Sequence, residues 1–128
     1  MRFITTKVHG VLDYLTAVLL IAAPWLFGFA DGKIDQWISV IIGLMIFMLS
    51  FLTDYELGFI KSIPMRIHLV IDMIVGLVLA LSPWLFGFAN DVYVPHLVAG
   101  GLGFVAGIVT KQDAYEIRIR RRRADYKI

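Results

Sequence analysis

Two histidine–aspartate pairs carry the chemistry this sequence offers. His9 precedes Asp13 by four residues, and His68 precedes Asp72 by four, with the two pairs 59 positions apart. Side chains at i and i+4 lie on one helix face, one turn apart, so each histidine can hydrogen-bond its own aspartate. If the pairs meet in space, two imidazoles and two carboxylates can bind a divalent metal or pass protons between titratable groups. The plainer reading satisfies each carboxylate locally, by its histidine, by a Lys or Arg head, or by amides near a helix start.

The pairs belong to a larger repeat. Pro-Trp-Leu-Phe-Gly-Phe-Ala occurs at residues 24–30 and again at 83–89, at the same offset. Each half therefore reads His-x3-Asp, an apolar run, then this seven-residue stretch. Proline removes a backbone donor and kinks or ends a helix. Glycine permits a sharp turn or a close approach. Pro24, Trp25 and Gly28, with Pro83, Trp84 and Gly87, are expected to form a structural corner whose aromatic groups sit in the outer interfacial belt. The competing reading is an aromatic pocket for a lipid, quinone or other apolar ligand.

The elements that position these groups follow from composition. The chain has 128 residues, 59% of them hydrophobic, with a mean hydropathy of +0.81 and no cysteine. That excludes disulfides and thiolate chemistry. Residues 14–30, 36–53, 73–90 and 92–110 carry no Asp, Glu, Lys or Arg. Blocks of this length without polar faces predict four transmembrane helices, at about 8–30, 35–53, 65–89 and 95–110. Both carboxylates of the pairs then fall inside spans, where acidic groups face a bundle interior or a water cavity. The expected fold is an all-α membrane protein of two tandem helical hairpins. Residues 1–60 form the first, 61–112 the second, and 113–128 a basic tail. Each hairpin has two spans, so the halves share one orientation, and a pseudo-two-fold axis along the membrane normal is expected.

Eleven of the 12 Lys and Arg lie before the first block, between the second and third, or after the fourth. The positive-inside rule puts both termini in the cytoplasm. The first 30 residues resemble a signal peptide, but the same segment recurs internally, so it is read as a helix. Arg118, Arg120, Arg121, Arg122 and Arg123 are expected to meet anionic lipid headgroups, and nucleic acid is not an expected partner. Ala99, Gly103 and Gly107 on the last helix, Ser39 and Gly43 on the second, and Gly76 and Ala80 on the third provide small-residue packing surfaces. A homo-oligomer or a larger membrane complex stays open on the same grounds. His96, alone near the outer surface, reads as a polar anchor. Among the catalytic signatures sought, including a phosphate loop, Gly-x-Ser-x-Gly and His-Glu-x-x-His, none is found. No cofactor and no catalytic residue is expected.

Ala-Pro-Trp at residues 23–25 and Ser-Pro-Trp at 82–84 resemble the tripeptide of the SPW-repeat family of small prokaryotic integral membrane proteins. The first copy departs from the name at Ala23. The resemblance implies repeated two-helix units in a bacterial-type plasma membrane and supplies no catalytic residues. The sequence thus reads as a non-enzymatic structural, accessory or assembly component. The alternative is a small transporter or a proton-, metal- or cofactor-handling protein using the two pairs.

Overall fold

The computed structural model describes residues 1–113 and 115–127, and for residues 115–118 it describes the backbone alone. Five helices follow in order: α1 (Thr6–Leu26), α2 (Ile34–Phe51), α3 (Met65–Leu85), α4 (Val94–Val109) and α5 (Tyr115–Asp125). The described residues contain two isolated β-bridges, Ile4 with Thr110 and Thr53 with Ile63. Helices α1, α2 and α3 are long and apolar enough to cross a membrane. Helix α4 has 16 residues, about 24 Å at 1.5 Å per residue, against a hydrocarbon core of about 30 Å.

Helices α1 and α3 stop four residues short of the expected ends at 30 and 89. Pro24 and Pro83 lie inside the last turn of each. The stop itself comes from Gly28 and Gly87, at φ +77° and +76°. The amide of Phe27 donates to the Ala23 carbonyl and that of Phe29 to Pro24, both at 2.8 Å. Phe86 and Phe88 repeat the pattern on Ser82 and Pro83 at 2.9 and 2.8 Å. These bonds satisfy end carbonyls that the helix leaves open. A Cβ at either glycine would meet nothing within 4 Å, so the demand is purely conformational. Gly28→Ala should therefore cost about 1–2 kcal/mol, the left-handed penalty, read as a lower unfolding temperature in detergent. An unchanged temperature would remove the turn's backbone requirement.

Helix α1 packs mainly on α2, and α3 on α4, with lesser contacts between α2 and α3 and between α1 and α4. Both principal contacts depend on glycine. A Cβ at Gly43 would lie 2.9 Å from the Ala17 carbonyl oxygen, and one at Gly100 would lie 2.5 Å from that of Gly76. A Cβ at Gly107 would likewise press on α3, 2.9 Å from the Leu69 carbonyl oxygen. Gly103 also faces α3, since a Cβ at Gly76 would lie 3.1 Å from its carbonyl carbon, but it leaves more room, with a Cβ of its own 3.8 Å from Gly76 Cα, and a Cβ at Gly101 meets nothing within 4 Å. The α4 contact ridge is Gly100–Gly107, a heptad apart on one face. Leu20, Ile42 and Leu79 form the core between the helices.

Backbone bonds tie the start of α1 to the end of α4 and the start of α3 to the end of α2. The amides of Phe3 and Ile4 donate to the Val109 carbonyl at 2.8 and 3.0 Å, and that of Lys111 donates to Ile4 at 2.9 Å. Ser62 and Ile63 donate to Leu52 at 3.0 and 2.9 Å, and Asp54 donates to Ile63 at 2.8 Å. These ties bring Thr110 beside the start of α1 and Thr53 beside the start of α3.

Candidate functional site: a buried His2Asp2 centre

His9 and Asp13 project from α1, His68 and Asp72 from α3, and the four meet. Each offers one ligand atom, and those atoms all lie within 4.8 Å of one another. Both histidines are fully buried, while the Asp13 and Asp72 side chains keep 13% and 5% exposure. The shortest contacts cross between helices. His9 Nε2 lies 2.7 Å from Asp72 Oδ2, and His68 Nε2 lies 2.8 Å from Asp13 Oδ2. The contacts within each helix that the spacing predicts exist but are longer, 3.3 Å for His9–Asp13 and 3.0 Å for His68–Asp72. The two Nε2 atoms are 3.3 Å apart, and the rings meet edge to face at 73°.

The far nitrogens of both rings are held by threonine. His9 Nδ1 is 2.8 Å from Thr110 Oγ1, and His68 Nδ1 is 2.7 Å from Thr53 Oγ1. Thr53 Oγ1 donates its own proton to the Leu49 carbonyl at 2.6 Å. It must therefore accept from His68 Nδ1–H, which leaves Nε2 facing the carboxylates as the position for a second proton or another cation.

A second chain of bonds reaches Asp13 from the central loop. Ser50 Oγ donates to Asp13 Oδ2 at 3.0 Å, and the Tyr55 hydroxyl lies 3.0 Å from Ser50 Oγ. With the serine proton committed to Asp13, the tyrosine donates to Ser50. Burial pushes the Tyr55 hydroxyl above its ordinary pKa, keeping it protonated for this role. Its ring fills the space beside Gly10, where a Cβ would lie 2.6 Å from the Tyr55 oxygen. Gly10→Ala should push the ring off Ser50 and cost about 1–3 kcal/mol, as overpacking does. A double-mutant cycle with Tyr55→Phe checks it, and purely additive effects would remove the contact from the account.

Sequence reasoning missed Thr53, Thr110, Ser50 and Tyr55. A signal existed for the threonines: each stands at the end of a charge-free block. They lie 57 positions apart and not 59, so alignment on the His-Asp offset passes over them.

The other expected positions fall outside this centre. Trp25 and Trp84 are 64% and 54% exposed. Pro24 and Pro83 are buried. His96 is not an interfacial anchor. It is fully buried, with rings of Phe29 and Phe88 at 5.5 and 4.9 Å, because the glycine turns fold both phenylalanines back over it. Its Nε2–H donates to the Asp35 carbonyl at 3.0 Å, while its Nδ1 and the buried Asp35 Oδ1 have no hydrogen-bond partner among the described residues. An apolar groove of about 510 Å³ runs between α1 and α4, but of the repeated seven-residue stretches it takes in only Phe27 and Ala89. Arg120, Arg121, Arg122 and Arg123 are exposed on α5. The side chain of Arg118 lies outside the described residues.

Three helices of spanning length, with Leu, Val, Ile and Phe side chains over their outer surfaces, put the chain in the class of helical membrane proteins. A family model for the SPW repeat domain matches residues 7–110. The chain belongs to the SPW repeat family, and the matched residues include all four members of the buried centre and both threonines. No curated protein and no solved structure matches it.

Proposed function

We propose that this chain is a non-enzymatic, multi-pass protein of a bacterial-type plasma membrane whose two hairpins close around a cation-holding centre. The observation that carries the reading is the crossed pairing of His9 with Asp72 and His68 with Asp13. Two buried carboxylates facing two neutral imidazoles would leave charge −2 inside the bundle. Charges in that setting must be compensated, and two units of positive charge at the Nε2 atoms do so. Of the two roles open from the sequence, the accessory component and the small cation-handling protein, convergence of the four side chains favours the second.

The wider architecture in this reading has α4 as a fourth, short span and the halves related by a pseudo-two-fold axis. Several correspondences support it. Gly43 meets the Ala17 carbonyl as Gly100 meets that of Gly76. Thr53 holds His68 as Thr110 holds His9. The Lys and Arg distribution places both termini and the central loop in the cytoplasm, with the α5 arginines near anionic headgroups, worth about 1 kcal/mol per residue there. The absence of cysteine makes orientation simple to test. Lys33→Cys should react with an impermeant maleimide from outside intact cells and Ile60→Cys should not. The reverse pattern would invert the topology.

The centre itself is tested by ¹⁵N spectra of the histidines in the detergent-purified chain. Both Nε2 atoms should carry a proton on a doubly protonated ring or show metal coordination. Neutral rings with no bound cation would end this reading.

A further inference from the structure

We infer that His9, Asp13, His68 and Asp72 form a binding site for one divalent first-row transition metal, with zinc the reference ion. The inference rests on the cation-holding reading and names the cation. Two histidine nitrogens and two carboxylate oxygens are a donor set suited to such ions.

The geometry supports it in three ways. A metal at about 2.0–2.2 Å from four ligands in a tetrahedron separates those ligands by about 3.3–3.6 Å. The Nε2–Nε2 distance is 3.3 Å and His9 Nε2–Asp13 Oδ1 is 3.3 Å. The crossed contacts at 2.7 and 2.8 Å need to open by about 0.5–0.9 Å, and the four donor atoms, which lie within 4.8 Å of one another, need to draw to that common separation. Charge also balances, since two carboxylates and a divalent ion sum to zero.

The second support is the orientation of the rings. Metal-ligating histidines donate their other N–H to an oxygen that fixes the tautomer. Thr53, its own proton committed to Leu49, receives Nδ1–H of His68. Thr110 occupies the equivalent place on His9. The two near nitrogens face each other at 3.3 Å, and at His68 the threonine fixes which nitrogen faces the cluster.

The third is repulsion in the alternative. Two doubly protonated rings would set two cationic N–H groups 3.3 Å apart in a buried, weakly screening site. One ion between the nitrogens replaces that repulsion with four attractive contacts. Asp13 and Asp72 also line a cavity of about 150 Å³ between α1, α3 and α4.

The test uses the full chain in detergent, stripped with a chelator and titrated with Zn²⁺, then in separate samples with Mn²⁺ and Fe²⁺. One ion per chain is expected, with X-ray absorption giving N/O ligands at about 2.0–2.1 Å. The Asp13→Asn, Asp72→Asn double variant should bind at least 100-fold more weakly. Thr53→Val keeps all four ligands and should weaken binding by about 10–100-fold, the usual effect of losing an orienting partner. That readout does not depend on the double variant folding. Zinc content unchanged by Thr53→Val and by the double variant would overturn the site. So would stripped native chain that takes up no zinc, manganese or iron. In that case ¹⁵N spectra with two doubly protonated rings would leave the cation-holding reading standing with protons as the cation, and neutral rings would end both.

Discussion

Asp72→Ala should be among the most damaging single substitutions in this chain, lowering stability in detergent by about 3–5 kcal/mol. Asp72 Oδ2 lies within hydrogen-bond distance of both histidines, 2.7 Å from His9 and 3.0 Å from His68. Its loss leaves whatever positive charge the centre holds facing one carboxylate. Removing one partner of a buried ionic group costs far more than the group's net contribution, because the remainder stays buried and uncompensated. The matched prediction separates the two quantities. Replacing all four residues by apolar ones (His9→Leu, Asp13→Leu, His68→Leu, Asp72→Leu) should destabilise less than Asp72→Ala alone, since no charge is then stranded. Denaturant titration of both variants against the native chain reads the order directly. If Asp72→Ala stays within about 1 kcal/mol of native, below the usual cost of an unpaired buried polar group, the centre does not hold the hairpins together.

Gly100→Leu should have an effect of similar size by a different route. A Cβ at this position meets the backbone of Ala80 and the Gly76 carbonyl oxygen, the latter at 2.5 Å. These are backbone atoms of another helix, so no side chain can rotate away. Overpacking commonly costs about 1–3 kcal/mol, and here α3 and α4 must separate along their whole contact. Separation also draws His9 away from Asp72 of α3, because backbone bonds tie the start of α1 to the end of α4. The loss should therefore appear twice, in the unfolding temperature and in the ¹⁵N signal of His9. Gly101→Leu, one residue along and facing open space, is the control and should change neither. Equal effects at both positions would mean that helix propensity, and not helix contact, governs this stretch.

Much of the architecture is readable before any coordinates. Apolar blocks without charge specify helices of spanning length, since length and hydropathy are properties of a segment alone. The His-x3-Asp spacing places each pair on one helix face for the same reason. Gly28 and Gly87 mark a turn, but proline and glycine signals bound an end without locating it, so the sequence expectation runs each helix four residues further than the structure does.

The choice of partner is what a local pattern could not supply. Spacing within α1 makes Asp13 the natural neighbour of His9, yet the closer carboxylate is Asp72, 63 residues away. That preference depends on how α1 and α3 approach, across contacts of α2 with α3 and of α1 with α4 that lie in neither motif. Thr53 and Thr110 enter the centre through backbone ties between chain segments far apart in sequence. His96 shows the same limit from the other side: its position suggests an interface, and its burial comes from Phe29 and Phe88 folding back after the glycine turns. Segment properties, which depend on residues a few positions apart, were determined by the sequence itself. The crossed pairing, the threonine supports and the burial of His96 were decided by tertiary packing, because each depends on distances between helices that no single segment contains.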